Sequence, residues 1–410
     1  MPMPTTRLNS TIAVSRTDRR ARIASGVFPA ATQRLLDQHC EPLELLDAVV
    51  ELCREAQQRH GVRMEPGLDA PLAKPIVQAR AIEPLATRLC VYCVEEGLAL
   101  RAAGIAAPIL VLGPVPPEAL DEALDANLEL AVWNVAAFAR RVAAAASKRR
   151  TRASVHLKVN TDLNRLGVEP DELSGAVERL GGATEIALAG IFSHLAAAEE
   201  IDSPYTMHQL GAFERALLGV KPLLDRSGLA PIRHIAASAA AMLWPQTHLD
   251  MARFGIALYG LMPSPQTSAA MKEKPLGLRP ALSYVSELIV VRTVAAGASV
   301  GYGGSFHAPR DMRIGVVPAG YADGVPRALS NRGAFVVDGA LCPIVGRVAM
   351  NMTQIDLSKA PNAHVGSLVT LIGRDGESAV TADDWAAWSD TINYEIVTRL
   401  PSDLPRDYIE

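Results

Sequence analysis

Short apolar runs and longer stretches with apolar positions at helical spacing take turns along most of this chain. From Leu89 onward the alternation is regular. Strands are predicted at Leu89–Val94, Pro108–Gly113, Leu128–Trp133, Ser154–Val159, Ile186–Ser193, Ile232–Ala236 and Gly255–Tyr259. Helices are predicted between them at Glu95–Ala103, Pro117–Ala126, Val135–Lys148, Pro170–Leu180 and Tyr205–Ser227. Upstream, Pro42–His60 repeats Leu43, Leu45, Leu46, Val49, Leu52 and Ala56 on one helical face. VRMEP, residues 62–66, reads as a further strand, and Val77–Ala86 as a helix shortened by Pro84. That gives eight apolar runs separated mostly by helices, the pattern of a parallel sheet covered by helices. Eight such units predict a closed (β/α)8 barrel. An open doubly wound sheet is the architectural alternative, but no GxGxxG follows the first strand.

The pattern changes after Pro263. Ser264–Leu278 is rich in Pro, Lys and Met and reads as a linker. Beyond it come LSYVSELIVVRTV, RIGVVP, GAFVVDG, LCPIVGRVAM, MTQIDL and LVTLIG, punctuated by Gly, Asn and Asp, which predict a mostly β domain with a helix at Thr381–Ser389. The expected organisation is an unassigned segment 1–40, a barrel over 41–263, a linker over 264–278 and a β-rich domain over 279–410.

Composition narrows the function. A chain of 410 residues exceeds one ordinary core, in line with two domains. Hydrophobic residues at 49% and charged residues at 20% suit a globular enzyme. A net charge of −4 leaves no basic footprint for nucleic acid. No stretch approaches the ~18 apolar residues of a membrane span, and the start lacks the apolar run of a signal peptide, so a cytoplasmic location is expected. Five cysteines, an odd and sparse set, imply no disulfide framework. Cys90-Val-Tyr-Cys93 has CxxC spacing but lies in an apolar run read as a buried strand, with no second pair for zinc, so no metal is expected.

In a barrel of this kind, functional side chains sit at the C-terminal ends of the strands. Those ends carry Lys158 and Arg165 in HLKVNTDLNRLGV, His194 in GIFSHLA, Ser238 in AASAA and Arg253 in MARFGIALYG. Each also has a structural reading: a snorkelling lysine, a surface ion pair, a satisfied core histidine, an N-cap. Together they make a cationic mouth, and a helix starting at Ser238 would suit a phosphate. Ser299–Gly304, SVGYGG, sets Tyr302 between glycines, where it serves either as a turn residue or as a catalytic one.

With EEGLALRAAGI, DMARFGIALYGL, GYADGVPRALSNRG, PIVGRVAMNMTQIDL and TINYEIVTRL added in order, the chain from about Cys90 to Tyr408 resembles the alanine racemases. A barrel-type decarboxylase shares the architecture, but SVGYGG and AMNMTQIDL follow the racemase pattern. The resemblance implies a pyridoxal 5'-phosphate (PLP) enzyme that interconverts L- and D-alanine by two-base transfer of the Cα proton. It implies a homodimer with shared active sites, in which Tyr302 crosses the interface as the base for the L-enantiomer. Arg165 and the backbone at Met350 would hold the substrate carboxylate, Lys158 would orient Arg165, and Tyr321 would line the entry. His194 would lie beside the cofactor ring, Arg253 would face its nitrogen, and Ser238, Gly255, Ile256 and Tyr394 would bind its phosphate. Tyrosine ordinarily titrates near pH 10, so Tyr302 needs neighbouring positive charge or hydrogen bonds to act near neutrality.

One departure stands out. The family's lysine that binds the cofactor aldehyde follows strand one, and here Gly67 of GLDAPLAK falls at that place. Pro71 stands where a phosphate-binding tyrosine is expected, and Lys74 is the sole lysine before Lys148. Lys74 is therefore the candidate second base, and the alternative is a homologue without catalysis.

Overall fold

The computed structural model describes residues 11–15, 61–63, 79–273, 276–401, 404 and 407–409. The helix expected over Pro42–His60, the Gly67–Lys74 stretch and Lys74 itself lie outside the described residues. The chain divides into two compact units. The first comprises Met1–Ala56, Leu72–Leu258 and Met262–Leu278, and the second Gln57–Pro71, Tyr259–Leu261 and Arg279–Glu410.

The first unit is a closed eight-stranded barrel. Its strands are β1 (Thr11–Ser15), β3 (Arg88–Val91), β4 (Ile109–Val111), β5 (Glu129–Val132), β6 (Ala153–Lys158), β7 (Ile186–Phe192), β8 (Ile232–His234) and β9 (Met251–Phe254). Neighbours from β3 to β9 are parallel. β1 closes the ring antiparallel to both β3 and β9. The strand expected at VRMEP is not a barrel stave. Gly61–Arg63 (β2) instead pairs antiparallel with Asp407–Ile409 in the second unit. Composition separates the two segments: TIAVS carries three consecutive apolar residues, and GVR carries one.

Period-two alternation sorts the barrel residues into two sets. Leu89, Val91, Ile109, Val111, Leu130, Val132, Val155 and Leu157 join the main core, which also holds the helix residues Leu100, Val142, Leu180 and Phe213. The alternate positions Cys90, Leu110 and Met251 form a separate cluster. In register with that second set come Arg88, Glu129, His156, Lys158, His234 and Arg253, so the inner face is the polar one. The covering helices include α1 (Val94–Ala102), α2 (Leu120–Asp125), α3 (Val135–Arg149), α4 (Leu173–Gly181) and α5 (Tyr205–Ser227). α1 carries Glu95 and Glu96 in its first turn and Arg101 in its last, as the helix dipole favours. Cys90 is buried in β3, whereas Cys93 sits beyond the strand at the cap of α1.

Two further expectations shift. The eighth strand is Met251–Phe254, and Ile256–Tyr259 is a 3-10 turn. Apart from Arg253, MARFGIALY is apolar on both sides of Gly255, so hydrophobicity alone does not place the strand. All four residues of β9 are buried, and the chain turns at the glycine. The stretch read as a linker contains a helix, Pro265–Ala270, started by Pro265 and capped by Ser264 Oγ accepting from Thr267 N–H.

The second unit is built from antiparallel sheets. Met312–Val317 lies between Val290–Val294 and Thr353–Asp356, and Leu368–Asp375 pairs with Tyr284–Glu287, Ala334–Val337 and Ser378–Val380. Two helices join them, Ala382–Trp388 with a Thr381/Asp384 capping box and Asn393–Arg399. No described helix is long and apolar enough to cross a membrane.

Candidate active site

Lys158 ends β6 and is buried. The chain after it turns back on itself: Val168 N–H donates to the Lys158 carbonyl and Asn160 N–H to the Val168 carbonyl, both at 2.8 Å. Asn160 Oδ1 accepts from Asn164 N–H at 3.0 Å, and its Nδ2 donates to Glu169 at 2.9 Å. Gly167 lies at φ +140°, and a Cβ there would sit 2.2 Å from Asn160 N, so only glycine closes this loop. The loop carries Arg165 at an exposed position, near enough to Lys158 to act on its charge.

Arg253, on β9, is fully enclosed. Its Nη1 donates to His234 Nδ1 at 2.7 Å. Its Nη2 donates to the Ser193 carbonyl at 3.0 Å, to the Ile235 carbonyl at 3.1 Å and to His194 Nδ1 at 3.2 Å. Phe192 stacks on His234 with centroids 4.7 Å apart, and the Lys158 ammonium and the Arg253 guanidinium each lie 5.6 Å from the Phe192 centroid. Ser238 opens a short helix, Ser238–Leu243, and its Oγ accepts from Gly255 N–H at 3.0 Å. That bond ties the start of the helix to the turn after β9, so Ser238, Gly255 and the buried Ile256 fall together.

The electrostatics of this cluster are one-sided. Burial, then Arg165 and Arg253, hold the Lys158 amine down to about 8. Burial, then Arg253, Lys158 and Arg165, hold His194 down to about 3, so it is neutral. Burial brings Arg253 to about 10, still protonated at neutral pH. No carboxylate is among the charges acting on Lys158 or His194. A buried cationic group without a counter-anion is costly, and an anionic ligand bearing phosphate and carboxylate would balance it. The residues present therefore fit a phosphate-bearing cofactor such as PLP. Among the described residues no group of His, Cys, Asp and Glu is disposed to hold a metal ion.

The remaining expected residues belong to the second unit. Tyr302 is 72% exposed on a 3-10 turn between Gly301 (φ 76°) and Gly303 (φ 70°). A Cβ on Gly303 would sit 3.1 Å from an Arg347 guanidinium nitrogen, so this arginine lies against the Tyr302 turn. Tyr321 N–H donates to the Ala349 carbonyl at 3.0 Å and Ala322 N–H to the Met350 carbonyl at 2.9 Å, which sets Tyr321 beside Met350. Both side chains are exposed. Tyr394 lies on Asn393–Arg399, where its carbonyl accepts from Thr398 Oγ1 at 2.7 Å.

Sequence reasoning missed Arg347 and the partners beneath Arg253: Phe192, His234, His156, Glu129 and Arg88. The signal was present. Polar residues at alternate positions of otherwise apolar strands, as in SVHLK, are unusual in a barrel interior.

Known proteins show the same organisation. The family profile of the alanine racemase N-terminal domain matches residues 75–263, and that of the C-terminal domain matches residues 281–408. An alanine racemase of Symbiobacterium thermophilum is 40% identical over 341 residues, 82% of this chain and 86% of that protein. One of Thermobifida fusca is 41% identical over 327 residues, 79% of this chain and 84% of that protein. Among solved structures, alanine racemase from E. faecalis superposes with a TM-score of 0.74 at 32% identity, covering 88% of this chain and 95% of that one. Alanine racemase from Bacillus anthracis with bound L-Ala-P gives 0.71 at 32% identity, covering 87% and 91%. The chain belongs to the alanine racemase family, the PLP-dependent isomerases that interconvert L- and D-alanine.

Proposed function

We propose that this chain racemises alanine as a homodimer, with Tyr302 and Lys74 as the two proton carriers. The observation that carries the site assignment is the cluster of buried Lys158 and Arg253 with half-buried His194, with Arg165 nearby and no carboxylate among the charges acting on Lys158 or His194. When bound, PLP draws electrons from the Cα of an attached amino acid and makes its proton acidic. Arg165, oriented by Lys158, and the Met350 backbone hold the substrate carboxylate. Arg253 can only donate hydrogen bonds, so it leaves the pyridine nitrogen without a proton and moderates that electron withdrawal. Ser238, Gly255, Ile256 and Tyr394 take the phosphate, His194 flanks the ring, and Tyr321 lines the entry. Tyr302 removes the proton from L-alanine and Lys74 from D-alanine. The exposed Tyr302, Tyr321, Met350 and Met352 form the kind of surface that a second copy would cover, and Tyr302 would then act in the partner's site. We place the enzyme in the cytoplasm, serving either cell-wall synthesis or alanine catabolism.

Gly67 favours a second reading, a cofactor-binding homologue without a covalent lysine. The N-terminal family match begins at residue 75, after the whole divergent stretch. One experiment separates the two. Protein mixed with PLP is reduced with borohydride and its peptides are mapped by mass spectrometry. A pyridoxyl group on Lys74 supports the racemase. PLP retained with no modified lysine supports the non-covalent homologue.

A further inference from the structure

Below Arg253 the barrel encloses a row of polar side chains whose proton positions follow from its two ends. Arg253 only donates, so His234 Nδ1, 2.7 Å from its Nη1, is the acceptor and carries no proton. The proton of neutral His234 then sits on Nε2, which is 2.9 Å from His156 Nδ1. His156 must accept there and carries its own proton on Nε2. That nitrogen has no hydrogen-bond partner of good geometry, and Glu129 Oε2 lies 3.2 Å away. Glu129 is gripped from its other side by Arg88, which reaches both carboxylate oxygens, one of them at 3.0 Å. The ionisation states agree. Burial holds both histidines below their ordinary values. Burial alone would push Glu129 up, but the nearby His156 ring and the hydrogen bonds of Arg88 outweigh it and hold the carboxyl down to about 2.

The row therefore has a direction. Protons point from Arg253 through His234 and His156 toward Glu129, and the reverse direction would set an N–H of His234 against an N–H of Arg253. The backbone is shaped for it. β6 and β7 slip register between Val155 and His156, and a Cβ on Gly190 would lie 2.2 Å from His156 Nδ1.

We propose that Glu129 and His156 are positioning residues: Arg253 sets the tautomer of His234, Glu129 sets that of His156 from the far side of the barrel, and the completed row holds Arg253 aimed at the mouth. Neither touches the reacting atoms. Their effect on catalysis rests on the racemase reading, whereas their effect on the tautomers does not.

The test uses the PLP-loaded protein labelled with 15N at histidine. Long-range 15N NMR is expected to show Nδ1 without a proton and Nε2 with one for both His234 and His156, assigned through single histidine replacements. Glu129→Met with Arg88→Met removes the acceptor without stranding a buried guanidinium. It is expected to mix the tautomers of His156, whose Nε2 proton then has no acceptor, while Arg253 keeps His234 Nδ1 without a proton, and to lower kcat about tenfold with KM within about twofold. Glu129→Gln keeps an acceptor oxygen and is expected to keep the tautomers and lose less of kcat; it also serves if the double variant folds poorly. Unchanged tautomers in the double variant, or wild-type histidines protonated on Nδ1, overturn the proposal. If the wild type lacks racemase activity, the racemase reading fails and the NMR result alone decides this one.

Discussion

Gly190→Ala tests the barrel interior most directly, because the added atom has a known destination. The new Cβ would sit 2.2 Å from His156 Nδ1, 2.7 Å from Cε1 and 2.9 Å from Cγ, where ordinary contacts begin at 3.4 Å. The imidazole must therefore retreat by about 1.2 Å, the difference between 3.4 and 2.2 Å. His156 is wholly buried and cannot swing into solvent. Overpacking of this kind costs ~1–3 kcal/mol, and breaking the His156–His234 hydrogen bond inside the barrel adds ~1 kcal/mol. The expected loss is about 2–4 kcal/mol, read as a lower urea midpoint at constant slope and a fall of roughly 2–7 °C in Tm. Gly175→Ala is the control. It lies on α4 with nothing within 4 Å of its Cβ, and alanine there gains up to ~1 kcal/mol from helix propensity. A Gly190→Ala protein within about 0.5 kcal/mol of wild type would refute the packing argument and weaken the tautomer argument with it.

Other predictions concern charge, chemistry and assembly. The Lys158 amine is held at about 8, against an ordinary 10.5, so the unfolded chain binds the extra proton between those values. Ligand-free protein should then gain stability as pH rises from 8 to 10.5, by roughly 3 kcal/mol at most. Lys158→Met should flatten that rise in urea melts across pH, and an unaltered profile would count against the burial of the charge. The lowered Glu129 value is a stabilisation rather than a penalty: it is complete above pH 4.5 and lost as pH falls toward 2, so Glu129→Gln should lessen the acid sensitivity of unfolding. Tyr302→Phe should fold normally, since the ring is exposed, yet slow removal of the L-alanine Cα proton by two or more orders of magnitude; unchanged deuterium exchange from both enantiomers would remove that role. Sedimentation should give twice the chain mass of 43.6 kDa, and a monomer at micromolar concentration would argue against a shared site.

Strand–helix alternation, the change to β-rich runs after Pro263 and the family segments were legible in the sequence, because binary pattern and turn chemistry are local properties. They identified the barrel, the second β-rich region and the residues Lys158, Arg165, His194, Ser238 and Arg253. What decided β9 was tertiary. MARFGIALY is apolar on both sides of Gly255 apart from Arg253, and only pairing with β8 and β1 chose Met251–Phe254 over Gly255–Tyr259. Closure of the ring by Thr11–Ser15 in place of GVR likewise depended on which segment could satisfy two strand edges at once. The row from Arg253 to Glu129 and Arg88 was least legible. Its members lie up to 165 positions apart in sequence, from Arg88 to Arg253, and each alone reads as an isolated polar residue in an apolar strand. Barrel closure turns all of them onto one inner face, and burial there lets a single arginine donor and a single carboxylate acceptor set every proton between them.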